Sequence, residues 1–471
     1  MKKYFEICLS GLVLAIFLSA CGGGGGGGDN IQNVVVDDSA YYIDAVNGND
    51  GNDGKTPQRA WKTLNNINNT TINAGNKILF RVGQKWQGQL NIKNSGTAEN
   101  PITIGSYGEG AKPIISALNI VKIDKWYPYN GVGDNGLGAE FKEDVSDPAN
   151  TWLAVILDDH PYRIKINSQE VLGAFDSLEL SDTFKWSYNR DKDGTVFYYY
   201  GNDKPSQIET SVFTSPLYIH DCQNIVVENI ELEGGFVAGI FIDNANDITI
   251  QKVTVGDMSK QGIYVNAKNN TVKNIKIDNC IIDSKYTLDY SMAVPNLERN
   301  GRTSTTRGAP EGIMFWGGIQ NSVISNNTIK NWTHANINFS ADFDEELSNN
   351  KVFNNDLSAP DIAYGGRIGV DGKNNHDNKF YNNRVHDIKA PIQFNGHDNE
   401  FSGNVVEDVE ESKLKPDETG YGVVLQGYAS AVYNNKIINN TFRRIAKDAI
   451  LISNNNTYEV KNNTITPNTI E

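Results

Sequence analysis

Cysteine is nearly missing from this chain: positions 8, 21, 222 and 280 hold all four in 471 residues, too few for a disulfide framework. Stability therefore has to come from a core, and 39% apolar residues are enough to build one. Long apolar runs are missing as well, since the run at residues 12–17 is too short to cross a bilayer as a stable helix. A basic excess is missing too. The net charge of -15 argues against nucleic acid as a partner, although a local basic cleft on an acidic protein still admits an anionic polymer. Leucine-rich spacing is absent, and no repeat unit carries a helical segment.

What is present is a short phrase that returns from about residue 215 onward. It reads ENIEL at Glu228, DNCII at Asp278, NNTIK at Asn326, NNDLS at Asn354, NNRVH at Asn382, GNVVE at Gly403, NNTFR at Asn439 and NNTIT at Asn462. Asparagine holds the second place each time. A period of about 21 to 28 residues, made of short alternating strands, marks a solenoid whose units cannot bury their apolar face alone. An asparagine amide both donates and accepts, so equivalent side chains in successive coils are expected to bond along the stack. The fold expected is an all-β, right-handed parallel β-helix.

Each coil carries a second strand. Aligned on their apolar places these are GIFID (Gly239), GIYVN (Gly262), GIMFW (Gly312), NINFS (Asn336), RIGVD (Arg367), PIQFN (Pro391), GVVLQ (Gly422) and AILIS (Ala449). Places two and four are apolar throughout and face the core. Place three faces outward and reads Phe241, Tyr264, Met314, Asn338, Gly369, Gln393, Val424, Leu451. Its ends are apolar and its middle is polar.

The remaining segments set the domain plan. Lys2 and Lys3, the short apolar run and LSAC at residues 18–21 read as an export signal over 1–21, and LSAC resembles a bacterial lipobox with Cys21 as the lipidated residue. A glycine-rich tether follows over 22–39. Residues 40–122 alternate short strands with Gly, Asn and Asp turns as the entrance to the helix; 123–213, rich in tyrosine, is expected as a small β-rich insertion; 214–467 holds the regular coils. The chain is thus expected to be an exported monomer, lipid-anchored at the outer membrane or surface of a Gram-negative-type cell and meeting the membrane through that anchor alone. Residues 286–310 and 410–419 exceed the repeat, and long loops on a rigid scaffold are where sites tend to sit.

The lipobox, the NGNDGNDG entrance, NPITIGSYGEG and the NNx coils together resemble extracellular polysaccharide-degrading β-helix enzymes, most of all lyases of the alginate-lyase type. That resemblance covers residues 40–122 and 214–467. It implies cleavage of an acidic, uronate-containing polysaccharide, alginate first, by β-elimination. Such a reaction needs a group that neutralises the carboxylate, a base for the C5 proton and an acid for the leaving oxygen.

The polar middle of the outward column supplies candidates. Arg367 with Asn336 or Asn338 is expected to hold the carboxylate, Lys389 or His334 to act as base and Tyr364 as acid, with Asp371, Gln393 and Asn395 on the substrate. Gly369 is expected to leave room for a sugar ring. No organic cofactor is implied, and calcium is the one ion that the closely spaced aspartates of GNDGNDG leave open. The competing reading is a glycoside hydrolase, which needs two carboxyl groups about 5 to 9.5 Å apart. Asp371 is then one of them, with Glu311, Asp342, Asp344 or Glu345 as its partner. A non-catalytic glycan-binding lipoprotein is the third reading, and it leaves the column at His334, Arg367 and Lys389 without a task.

Overall fold

The computed structural model describes residues 37–471, except for short stretches within 122–212 and 285–309 and at 259, 342–344, 361–364, 414–415, 428–429 and 454–456. The segment expected to be an export signal with Cys21, most of the expected tether, Tyr364, Asp342 and Asp344 lie outside the described residues. Three long parallel sheets run side by side. Sheet 1 has 11 strands from Ala40–Ile43 to Lys436–Ile438, sheet 2 has 11 from Lys85–Gln87 to Thr469–Ile470, and sheet 3 has 12 from Leu90–Ile92 to Ile450–Ile452. One coil passes Asn246–Gln251, Thr254–Gly256 and Gln261–Lys273 before re-entering sheet 1 at Lys276–Asp278. The expected right-handed parallel β-helix is the fold.

Alternation builds the interior, because inward places of successive strands fall on one another. Ile240, Ile263, Ile313, Ile337 and Ile368 form one such file, all fully buried. The outward file also falls where the alternation puts it: Phe241, Tyr264, Met314, Asn338, Gly369, Gln393, Val424 and Leu451 are successive register partners.

Two asparagine ladders, rather than one, flank sheet 1. Asn327, Asn355, Asn383, Asn404, Asn440 and Asn468 each offer the side-chain oxygen to the residue one coil before, and Asn350, Asn378, Asn399, Asn435 and Asn463 do the same at the other edge. Asn463 therefore belongs to the second ladder. Asn229 and Asn279 are in neither: with φ of 54° and 53° they occupy the left-handed place just before it, where asparagine is tolerated for its short polar side chain.

The insertion is present, and its paired strands run from Leu118–Val121 to Ile208–Ser211, between a sheet 2 strand and a sheet 3 strand of one coil. Its larger sheet is mainly antiparallel, with Thr151–Ile156 against Gly194–Tyr200. At the entrance, Asp50 accepts from the backbone of Lys62 and Thr63 and from the Thr63 hydroxyl, while Asp53 pairs with Arg59 at 3.0 Å. These carboxylates cap turns. Among the described residues no group of three or more His, Cys, Asp or Glu is placed to hold a metal.

Candidate active site

Strand Arg367–Val370 contributes the central residue of the polar patch. Ile368 and Val370 face inward at 0% exposure, which turns Arg367 outward and, one step past the strand, Asp371 with it. Arg367 is engaged along the stack through both terminal nitrogens. Its Nη1 donates to Gln393 Oε1 at 2.5 Å on the next coil, and its Nη2 donates to His334 Nε2 at 2.9 Å on the preceding one. Asp371 Oδ2 lies 3.7 Å from the same Nη2, and Asn395 donates to Asp371 Oδ1 at 3.2 Å.

The chain of contacts continues in both directions. His334 Nδ1 meets Glu311 Oε1 at 2.9 Å, the same oxygen accepts from Asn338 at 2.7 Å, and Gln393 donates to Gln426 at 2.9 Å. One guanidinium thus stands between two carboxyl groups. Glu311 is itself 4% exposed at the side chain, and Arg367 and Asp371 are 12% and 13% exposed.

These partners fix the state of His334. A carboxylate accepts from Nδ1–H and a guanidinium donates to Nε2, so the neutral Nδ1–H tautomer satisfies both. Burial first, and the Arg367 charge second, push the imidazole below its ordinary 6.5 against the pull of Glu311. With the folded value depressed, the unfolded chain binds a proton that the native chain refuses, so this residue's contribution to stability falls as pH drops below about 6.5. A His334→Gln variant, able to accept from Arg367 and donate to Glu311, is expected to flatten that slope in urea midpoints measured across a pH series. An unchanged slope would refute the assignment.

Three expected site residues are placed otherwise. Asn336 is the extra residue of a bulge: Ala335, and not Asn336, pairs with Arg367 before the register resumes at Ile337 with Ile368. Its fully buried amide donates inward to the carbonyls of Ser358 and Gly366, out of a substrate's reach. His334 cannot serve as base through Nε2, whose lone pair accepts from Arg367. Lys389 pairs with Glu410 at 3.8 Å; neither it nor Asp371 is in the wall of the cleft described below, which Arg367 alone of this strand lines.

Gly369 also differs from expectation. A Cβ there would sit 2.3 Å from Asn338 Oδ1, so the space belongs to the Asn338 amide rather than to a sugar. Gly369→Ala is expected to cost about 1–3 kcal/mol through that overlap, read as a fall in urea midpoint. A cost below a few tenths would mean that Asn338 moves freely.

A cleft of 560 Å³ opens beside Arg367 and runs along the outer face of sheet 3. Its floor holds apolar Val424 and Leu451 flanked by Gln393, Gln426 and Ser453. Asp417, Glu418 and Tyr421, in and just after the loop expected to lie outside the repeat, form the rim. The excess length at 410–419 pointed to this segment, but nothing in PDE says which way the loop folds, so its carboxyls were not picked out as site residues.

The chain matches the family described as right handed beta helix region over residues 215–367 and 361–470. A lacto-N-biosidase of Bifidobacterium longum subsp. longum is 25% identical over 267 residues, 48% of this chain. The match spans only 16% of that relative's length. Two solved structures are similar at lower identity: a GH136 lacto-N-biosidase from Eubacterium ramulus (14% identity, TM-score 0.46, 92% of this chain and 67% of that one) and an alginate lyase from Paenibacillus sp. (12%, 0.37, 87% and 94%).

Proposed function

The chain belongs to the right-handed β-helix family, and from that premise we propose that it is a glycoside hydrolase acting on a neutral glycan in the cleft beside Arg367. One observation carries the choice. Arg367, which a lyase would need for the substrate carboxylate, is already bound to Asp371, His334 and Gln393. Elimination also needs a base, and His334 Nε2 is taken up by the same guanidinium. The likeness to a lacto-N-biosidase supports the same reading.

Hydrolysis makes other demands. One carboxyl group protonates the glycosidic oxygen while a second attacks the anomeric carbon or activates water; the C–O bond breaks and water supplies the new hydroxyl and proton. Asp371, which stands behind the cleft-lining Arg367 and is positioned by it and by Asn395, takes the second role once a glycan reaches past Arg367. Asp417 or Glu418 at the rim supplies the acid. Glu311 orients His334 and, through it, Arg367. A pyranose fits the floor, with its C–H face on Val424 and Leu451 and its hydroxyls toward Gln393 and Gln426. A uronate would instead meet the rim carboxylates opposite a cation already paired.

The test is incubation of the full-length protein with neutral and uronate-containing polysaccharides. New reducing ends without ultraviolet absorbance of an unsaturated product are expected. Appearance of that absorbance on a uronate polymer would replace the hydrolase with a lyase.

A further inference from the structure

A second groove lies on sheet 1, where a ladder of aromatic rings stops short. Phe353 and Tyr381 are register partners with ring centroids 4.9 Å apart and planes 9° from parallel. The next partner in that file is Ser402, and Ile438 follows. One coil further, the space of a ring is left open on the far face of Tyr381. The adjacent turn file is cut at the same coil. Asn354, Asn382 and Asn439 hold the left-handed place with φ of 55° to 57°, but Gly403 holds it after Ser402.

The short side chain of Ser402 opens a groove of 470 Å³ there, while the space beside Gly403 is taken by the Asn382 amide, whose Oδ1 a Cβ would meet at 2.8 Å. Tyr381, Asn382, Ser402, Gly403 and Asn439 line it. Lys379 and Glu400, side by side in register, stand on its margin, and Glu400 accepts from Ser402 Oγ at 2.7 Å. Coils repeat at about 4.8 Å, so Tyr381 and Ile438 stand on the order of 10 Å apart, which admits one flat ring between them.

We propose that this groove is a second glycan-binding site, taking one pyranose on the open face of Tyr381. The electron-rich ring face suits the C–H edge of a sugar, and the amides of Asn382 and Asn439 suit its hydroxyls. The site is on a different sheet from the cleft, so it holds a polymer without occupying the place of cleavage. The inference takes from the proposed function only that the ligand is a glycan.

Ser402→Tyr continues the ladder and fills the gap with a residue the fold already stacks there. Binding of xylohexaose, chitohexaose and lacto-N-tetraose to the full-length protein is measured by calorimetry, in an Asp371→Asn background that removes turnover. At least one probe is expected to bind, with affinity falling fivefold or more in Ser402→Tyr and in Tyr381→Ala. Hydrolysis of a short aryl glycoside by Ser402→Tyr with Asp371 intact is expected to stay unchanged. Binding unaltered by Ser402→Tyr in a variant that melts normally, or no binding of any probe, overturns the proposal. Tyr381-dependent binding in a protein that cuts no glycan would refute the hydrolase and leave this site standing.

Discussion

Asp371→Asn is expected to lower kcat/KM on a cleaved glycan by about a thousandfold, within the range that one acid or base group supplies. The substitution keeps size and shape, and Asn395 can still donate to the remaining side-chain oxygen. It removes the charge that faces Arg367 at 3.7 Å and with it the group that attacks or activates water. Two comparisons make the result specific. Glu311→Gln should cost far less, about tenfold, because Glu311 acts through His334 and never meets the substrate. Of Asp417→Asn and Glu418→Gln, one should fall by at least about a hundredfold and the other little, which identifies the acid. An Asp371→Asn protein that keeps a tenth of its activity would move the site elsewhere.

The position of Asp371 was legible in the sequence because side-chain direction in a strand has a period of two. Once Ile368 and Val370 were assigned inward, Arg367, Gly369 and Asp371 had to point out, and the eight-residue outward file follows from the same rule. The rule fails wherever a residue is inserted. Asn336 was assigned to the outer face by counting back from Ile337, but the bulge spends one residue there and turns Asn336 inward. The hole at Gly369 was visible as a missing side chain, yet its occupant was not, since which neighbour leans into a gap depends on a rotamer that the sequence does not encode. Glu311 was visible only as one acid among four. Its bond to His334 joins residues 23 apart on neighbouring coils, a pairing set by the register in which strand Glu311–Gln320 meets Ala335–Ser340.

The ladders illustrate the same limit from the other side. Asparagine in pairs announced the turns, but the two members of a pair do different work. In the pair Asn354–Asn355 the first has φ 56° and an exposed amide, and the second is 2% exposed and bonded above and below. Where a coil has one asparagine, spacing alone does not say which role it fills, and Asn229 and Asn279 were put in the wrong file for that reason; Asn463 was misplaced because pairs of the same form, here Asn462–Asn463, serve both ladders.

That division of labour leads to the largest stability effect expected in this chain. Asn355 Oδ1 accepts from both Asn327 N and Asn327 Nδ2, at 3.0 and 2.9 Å, and its own Nδ2 donates to Ile324 O and Asn383 Oδ1 at 3.0 and 2.9 Å. Asn355→Ala deletes these four and a further donation to Phe353 O at 3.1 Å, and strands the buried Asn327 N–H. A stranded buried donor costs about 1–3 kcal/mol and each lost bond about 1 more, which together come to roughly 3–5 kcal/mol after partial relaxation. Asn354→Gly is the control, because glycine accepts the left-handed place freely and only a 3.4 Å exposed bond is lost; it should change stability by less than about 1 kcal/mol. Urea midpoints with unchanged slopes would measure both. Because each coil of a solenoid contacts only its neighbours, amide exchange in the Asn355→Ala protein should accelerate first in the strands Val323–Ser325, Lys351–Phe353 and Lys379–Tyr381. A loss below about 1 kcal/mol, or exchange that rises evenly along the helix, would mean that the apolar files alone hold the coils together and that the asparagines only turn corners.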